Sequence, residues 1–397
     1  MNKQPYSVPT RWWEPRISPL WFRFFRKYRA AILEQQQFTE IRISGLERVR
    51  ELVASGAGVL ITPNHSFHYD SFVVFHVADQ VDTPFHIMTA WQVFEMSSRV
   101  ERWMLQRHGC FSVDREGADR RALKQAIEIL RESPHPLVIF PEGDVYHTND
   151  RVRPFREGAA AIALAAAKRA ERPIYCLPVA LKCRYVSDPT PVLCERMAEL
   201  EKRIFWRPRA DLSLIDRIYR FSAGLMSLKE IEFLGEPQIA PLNTRINRLA
   251  EHILSTMETR HGITARVSGF PERVKELRSH HIQELRRDGL PEAERLALCA
   301  DMDDLFFVMQ LYSYPGEYVR AMPTFERLAE TIDKLEEDVL DAAVPTVKGP
   351  RYVDVRFGEP IPVAKDRGED DAAAHLTSAL ERNVQRLLQE IATGTGG

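Results

Sequence analysis

Short apolar runs and helical patterns alternate along the chain from residue 58 onward. Four runs are short and apolar enough to be buried strands, at residues 59–62, 85–89, 137–140 and 174–181. The stretches between and after them have helical character, at residues 71–81, 93–108, 118–131 and 157–168. This alternation predicts an α/β fold in which a mostly parallel sheet is flanked by helices on both faces.

Residues 190–349 interrupt this alternation with a long stretch of helical spacing. Apolar side chains recur there at steps of three and four residues, as in Phe325, Leu328, Ile332, Leu335 and Val339. Polar and apolar residues alternate again at 352–357, and an amphipathic helix follows at about 370–392. We therefore predict an α/β core, a large helical insertion before the last strand, and a closing strand with a C-terminal helix, over residues 45–189, 190–349 and 350–397.

The first 44 residues form a separate segment that is rich in aromatic and basic side chains. Seven Lys or Arg against two Glu give residues 1–37 a formal charge of +5, and Trp, Phe and Tyr side chains are interleaved with these charges. An amphipathic segment of this kind suits an anionic membrane surface, where rings lie at headgroup depth. Packing of the same aromatic residues on the main domain is an equally good interpretation.

Composition narrows the class of protein. The formal charge of −2 over 397 residues argues against a protein dedicated to nucleic acid. Five cysteines without a CxxC pair predict reduced thiols in the cytoplasm rather than disulfides or a zinc site. The longest uncharged apolar run, Gly158–Ala167, is too short to span a bilayer, and the first residues lack the apolar core of a secretory signal. We expect a cytoplasmic protein that is peripherally associated with a membrane.

A histidine follows the first predicted strand at the point where an open α/β sheet binds its ligands. His65 lies in the segment Pro63–Asp70, and Asp70 comes five residues later. A carboxylate at that distance can reach back to the imidazole, select its tautomer and stabilise the imidazolium. His65 is therefore a candidate general base, although a His–Asp pair at this spacing is a weak signal alone.

Two further segments end on side chains that suit a polar ligand. Gly109–Arg115 predicts a small strand, and the guanidinium of Arg115 suits a phosphate or a surface ion pair. Glu142 follows the strand at 137–140, which places it at the same sheet edge as His65. Gly143 then permits a sharp turn or a close approach of the backbone to a ligand.

Taken together, these segments resemble the glycerophospholipid acyltransferases of the 1-acylglycerol-3-phosphate acyltransferase type. Asn64–Asp70 is similar to the first motif of that family, in the form NHx4D, and Gly109–Arg115 to the second. Phe140–Gly143, with the sequence FPEG, is similar to the third motif, and Leu177–Ala180 to the fourth. The resemblance covers roughly residues 45–185, and residues 355–361 resemble the last strand of the family.

The resemblance implies transfer of an acyl group from a thioester to a hydroxyl without a covalent acyl-enzyme. His65 is then the general base and Asp70 its orienting partner. Arg115, Glu142 and Gly143 correspond to acceptor-binding residues, with Arg115 facing a phosphate. The implied partners are an acyl donor, either acyl-CoA or acyl-carrier protein, a lipid acceptor and a membrane surface. No metal or cofactor is expected, and a G-x-S-x-G nucleophile motif is absent from the sequence.

Two departures from the family pattern leave alternatives open. Phe67 stands where the first motif usually has Ser, and Asp144 stands where the third motif continues with Thr or Ser followed by Arg. Because Asp144 would repel a phosphate, a non-phosphorylated or cationic acceptor remains an alternative. Three downstream arginines are candidates for the missing cation: Arg151, Arg153 and Arg156. A catalytically silent lipid-binding protein is the remaining alternative, which the presence of both His65 and Asp70 disfavours.

Overall fold

The computed structural model describes residues 10–115, 119–263, 269–365 and 371–394. Within these residues the chain divides into two compact units. An α/β unit is formed by Thr10–Ser187 and Gly349–Gly397, and a helical unit is formed by Asp188–Lys348.

The α/β unit contains one eight-stranded sheet. In chain order its strands are β1 Phe38–Ser44, β2 Gly58–Pro63, β3 His86–Ala90, β4 Cys110–Val113, β5 Leu137–Val138, β6 Ile174–Tyr185, β7 Arg351–Phe357 and β8 Ile361–Pro362. The spatial order is β1-β7-β6-β2-β5-β3-β4, and β8 pairs with β6. Only the pairings of β6 with β7 and β8 are antiparallel among the described strands. The predicted α/β class with a mostly parallel sheet is confirmed.

Helices precede, connect and follow the strands. In chain order they are α1 Pro19–Phe24, α2 Arg26–Gln35, α3 Leu46–Ala54, α4 Asp70–Gln80, α5 Trp91–Met96, α6 Arg99–Arg107, α7 Arg120–Glu132 and α8 Gly158–Arg169. The helical unit then contributes α9 Thr190–Phe205, α10 Leu214–Leu234, α11 Leu242–His261, α12 Phe270–Leu285, α13 Glu292–Ser313, α14 Tyr318–Ala321 and α15 Phe325–Leu340. The last helix, α16, spans Ala372–Thr393 in the α/β unit.

Two apolar clusters cover the two faces of the sheet. One contains side chains of α7, α8 and α16, and the other contains side chains of α1 to α4. Helix α8 buries mainly alanines, including Ala160, Ala163 and Ala166. Because these side chains are small, α8 can lie close to the sheet and to its neighbours α7 and α16.

Two elements differ from the sequence prediction. The edge strand β1, which pairs parallel with β7, was not predicted. The helix predicted over 93–108 is two helices, α5 and α6, because Ser98 and Glu101 form a reciprocal N-terminal cap. The backbone N–H of Ser98 donates to Glu101 at 2.7 Å, and the N–H of Glu101 donates to the Ser98 hydroxyl at 3.3 Å.

Much of the aromatic N-terminal segment packs on the α/β unit. Trp13 stacks on Phe94 with ring centroids 5.2 Å apart, and Trp12 contacts Phe111 at 6.2 Å. Arg29 is buried and forms an ion pair with Asp79 of α4. The packing interpretation therefore holds for these residues. Leu20, Phe24 and Tyr28 remain exposed.

No helix within the described residues is both long enough and apolar enough to cross a membrane.

Candidate active site

His65 lies in the loop between β2 and α4, and Asp70 is the first residue of α4. The imidazole Nδ1 is 2.9 Å from Asp70 Oδ2. The same carboxylate oxygen accepts the backbone N–H groups of Ser66 at 2.7 Å and Phe67 at 3.1 Å. One atom of a fully buried aspartate therefore shapes the loop and orients the histidine ring.

This arrangement selects the tautomer of His65. A carboxylate accepts hydrogen bonds, so Nδ1 carries the proton and Nε2 keeps its lone pair. The ring of His65 stacks on Phe140, with centroids 4.2 Å apart and planes 27° apart, and its side chain is 19% exposed. The imidazole is thus held in place and remains accessible to a substrate.

Asn64 ties the same loop to the neighbouring strand. Its amide Nδ2 donates to the carbonyl of Leu181 at 3.0 Å, and its Oδ1 accepts the N–H of Leu181 at 2.7 Å. β2 ends at Pro63, so the Asn64 side chain satisfies backbone groups of β6 that lie beyond the last paired residue of β2. This contact places His65 at the carboxyl end of β2.

Glu142 also forms a hydrogen bond to the loop that contains His65. Its Oε1 accepts the N–H of His65 at 2.7 Å, and its Oε2 accepts the N–H of Arg153 at 2.9 Å. Burial raises the pKa of Glu142 to about 8, although both N–H groups and the charge of Arg153 favour the ionised form. The carboxyl group therefore bridges two loops, which gives Glu142 a positioning function in addition to the predicted contact with the acceptor.

Arg115 and Asp144 lie side by side. Arg115 Nη1 donates to the carbonyl of Gly143 and lies 3.5 Å from Asp144 Oδ2. Burial opposes the charge of Asp144, but Arg115 and Arg156 outweigh this effect and hold the pKa of Asp144 below its usual range. Gly143 adopts φ +81°, and a Cβ atom there would meet the Arg156 guanidinium at 2.7 Å. The predicted acceptor residues thus surround an aspartate that is paired rather than isolated.

Three side chains of the helical unit that could ligate a metal ion lie close together. His261, His281 and Asp301 bring two imidazole nitrogens and a carboxylate oxygen within 4.8 Å of one another. Arg260 Nη1 lies 2.6 Å from the other oxygen of Asp301, so this carboxylate already has a cationic partner. The positive charge of Arg260 therefore compensates the negative charge of Asp301 without a metal ion. Sequence spacing did not indicate it, since its members come from three different helices.

The comparison with protein families concerns the α/β unit. Residues 40–182 match a protein-family model described as Acyltransferase. A 1-acyl-sn-glycerol-3-phosphate acyltransferase of Streptococcus pneumoniae is similar, at 29% identity over 124 residues. Residues 40–182, which lie in the α/β unit, are therefore similar to an acyltransferase domain. A glycerol-3-phosphate acyltransferase of Alteromonas mediterranea is 26% identical over 180 residues.

These relatives match only part of the chain. The alignment with the streptococcal protein covers 31% of this chain and 43% of the relative. The alignment with the Alteromonas protein covers 42% of this chain and 20% of the relative. The family match spans the positions of all five residues predicted for the site: His65, Asp70, Arg115, Glu142 and Gly143.

The sequence pattern does not identify the positioning contacts of the candidate site. Asn64 belongs to the NHx4D motif, but its partner Leu181 is 117 residues away in the sequence. Glu142 was placed at the correct sheet edge, but its bond to the His65 backbone depends on the turn that follows β5. In the sequence, Asn64 and Glu142 are recognisable only as polar residues that follow a predicted strand. That position does not show which backbone group each side chain binds.

The Asn64 contact predicts that removal of its side chain lowers the stability of the protein. Asn64→Ala leaves the buried N–H and carbonyl of Leu181 without the amide, which should lower the free energy of unfolding by about 2–4 kcal/mol. Urea unfolding of the full chain measures this change. Asn383→Ala, which removes a helix-surface amide of α16, is the control and should change stability by less than about 1 kcal/mol. Equal stability of the two variants would contradict the assigned contact.

Proposed function

We propose that the protein is a glycerolipid O-acyltransferase. It moves a fatty acyl group from a thioester, acyl-CoA or acyl-carrier protein, to the hydroxyl of an acceptor such as lysophosphatidate. The hydrogen-bonded pair of His65 and Asp70 at the sheet edge, inside the region that matches the family, carries this proposal. The activities for which the two relatives are named suggest the class of acceptor.

The proposed reaction uses one base and no covalent acyl-enzyme. Nε2 of His65 accepts the proton of the acceptor hydroxyl while the hydroxyl oxygen attacks the thioester carbonyl. Asp70 remains ionised and stabilises the imidazolium that forms. When the tetrahedral intermediate collapses, the C–S bond breaks and the thiolate takes the proton from His65. An ester and a free thiol result, and the base is regenerated.

The buried thiols agree with direct transfer. Cys110 and Cys176 lie in the sheet of the acyltransferase domain, and burial raises the pKa of each to about 12. The thiolate is the nucleophilic form of cysteine, so these two side chains stay unreactive near neutral pH.

The charges beside Gly143 support a phosphorylated acceptor, with one competing observation. Arg115 and Arg156 flank Asp144, so the three side chains carry a formal charge of +1. That charge favours a phosphate monoester, and Arg115 is half-buried at the site. The carboxylate of Asp144, however, would also suit an acceptor with a cationic or uncharged head group. The second candidate function is therefore the same transfer to such an acceptor.

We propose peripheral membrane binding through a small exposed apolar stripe. Leu20 and Phe24 are 75% and 70% exposed, and Tyr28 continues the same four-residue spacing. Arg26 and Lys27 lie beside them and are also exposed. Apolar side chains next to cations match the requirements of an anionic interface.

Substitution of the base tests the chemistry. His65→Ala should lower kcat by a factor of about 10²–10⁴, because the hydroxyl loses its proton acceptor. Steady-state assays with a long-chain acyl-CoA and lysophosphatidate measure the effect, and the free energy of unfolding checks that the variant is folded. His76→Ala, in the following helix, serves as the control and should keep normal activity. A folded His65→Ala protein with more than a tenth of normal activity would disprove the assignment.

A paired substitution separates the two acceptor classes. Arg115→Ala should raise the acceptor KM for lysophosphatidate about ten-fold or more, because a charged hydrogen bond is lost, and it should leave the donor KM unchanged. Asp144→Ser should lower the same acceptor KM. Lys124→Ala, an exposed cation on α7, is the charge control. If Arg115→Ala leaves the KM of every phosphorylated acceptor unchanged, the phosphorylated acceptor is excluded. The second candidate function, transfer to an acceptor with a cationic or uncharged head group, then holds.

The exposed stripe predicts which residues hold the protein on a bilayer. Leu20→Glu with Phe24→Glu should weaken co-sedimentation with anionic vesicles and leave activity on a short-chain, water-soluble acceptor unchanged. Binding of the unaltered protein should fall as salt rises, because counterions screen the basic residues. Leu123→Glu on α7 is the matched control, since Leu123 is also exposed. Undiminished vesicle binding by the double variant would contradict the proposed surface.

A further inference from the structure

Segment 150–156 runs between the candidate site and the C-terminal helix α16, and its backbone N–H groups alternate between the two. The N–H of Arg153 donates to Glu142 Oε2 at 2.9 Å, and the N–H of Arg156 donates to the carbonyl of Pro141 at 2.8 Å. Both acceptors belong to the turn that follows β5. These two hydrogen bonds attach the segment to a turn of the candidate site.

Two other N–H groups of the segment donate to side chains of α16. The N–H of Val152 donates to Gln385 Oε1 at 3.1 Å, and the N–H of Phe155 donates to Glu381 Oε2 at 2.8 Å. Gln385 Nε2 also donates to the carbonyl of Asp150 at 3.1 Å. Because Glu381 and Gln385 are four residues apart, they lie on the same face of α16. Val152 and Phe155 are buried, so their N–H groups depend on these partners.

Two side chains of the segment act on the charged groups of the candidate site. The guanidinium of Arg156 lies against Gly143, where a Cβ atom would meet its Nε at 2.7 Å. Its positive charge favours the ionised form of Asp144, and the charge of Arg153 favours the ionised form of Glu142. The position of the segment therefore determines the charge that an acceptor head group meets.

The strand β6 holds the start of the segment independently of α16. The amide of Asn149 donates to the carbonyl of Cys183 at 2.6 Å and accepts the N–H of Cys183 at 2.8 Å. Lys182 forms an ion pair with the carboxylate of Asp150. Loss of the α16 contacts should therefore displace residues 152–156 without unfolding the whole loop.

We propose that Glu381 and Gln385 of α16 are positioning residues for the acceptor site. They act through the backbone of segment 150–156 and keep Arg153 and Arg156 at the turn that follows β5. This proposal rests on the proposed acyltransferase reaction, because it assigns the charge of the two arginines to binding of a phosphorylated acceptor. The C-terminal helix thus contributes to acceptor affinity without contact with the acceptor.

Steady-state kinetics of the full chain test this function. Gln385→Ala should raise the acceptor KM for lysophosphatidate about ten-fold, because two hydrogen bonds that hold the segment are lost. The values of kcat and of the acyl-CoA KM should change less than about two-fold, since His65 and Asp70 keep their own contacts. Gln389→Ala removes the same amide from an exposed position of α16 and should change none of the three values. A folded Gln385→Ala protein with a normal acceptor KM, or with a loss in kcat alone, would overturn the proposal.

A conservative substitution at the second position distinguishes positioning from general stability. Glu381→Ala should raise the acceptor KM in the same way, whereas Glu381→Gln keeps an oxygen that accepts the N–H of Phe155 and should restore most of the affinity. Equal acceptor KM values for the two variants, both above normal, would contradict the assigned contact. If Glu381→Ala does not fold, the Gln385→Ala result decides.

Hydrogen exchange separates failure of this inference from failure of the proposed reaction. In Gln385→Ala, peptides that contain residues 150–156 should exchange their amide hydrogens about ten-fold faster or more, and peptides of α4 should keep their rates. If the unaltered protein does not acylate lysophosphatidate, the proposed reaction is wrong, and hydrogen exchange alone decides whether α16 positions the segment. Unchanged exchange across residues 150–156 would overturn the inference.

Discussion

The candidate active site depends on one buried carboxylate oxygen, Oδ2 of Asp70. Oδ2 of Asp70 accepts three hydrogen bonds, from Nδ1–H of His65 and from the backbone N–H groups of Ser66 and Phe67. Burial of an unpaired carboxylate is unfavourable, so these three hydrogen bonds compensate for its desolvation and order the loop. The position of Asp70 at the first turn of α4 adds the favourable field of the helix N-terminus. Loop shape, tautomer and the accessible Nε2 lone pair follow from this one interaction.

Two further polar side chains hold the same loop on the sheet. Asn64 binds the backbone of Leu181, and Glu142 binds the N–H of His65. Both contacts replace backbone pairing where β2 and β5 end, and both connect segments that are distant in sequence. The parallel sheet thus brings the loops that follow β2 and β5 to one edge, and buried polar side chains set their positions relative to each other and to β6.

The sequence pattern predicted the parallel core well because its strands are continuous apolar runs. It did not predict β1, whose polar residues Thr39, Glu40 and Arg42 are exposed on an edge strand. Nor did composition show which N-terminal aromatic side chains are buried. Trp13 and Phe24 are both large aromatic residues of the same segment. In the structure, Trp13 stacks on Phe94, whereas Phe24 is exposed. Such assignments depend on tertiary contacts that local patterns do not encode.

Direct acyl transfer to a glycerolipid hydroxyl is tested most directly by identifying the products. The purified full chain is incubated with isotopically labelled acyl-CoA or acyl-carrier protein and a panel of acceptors with phosphorylated, uncharged and cationic head groups. Mass spectrometry then follows both the lipids and the intact protein. We expect the label in an ester of one acceptor and no labelled protein at any time. Labelled free fatty acid as the only product, or a stable acylated protein, would contradict direct transfer by His65.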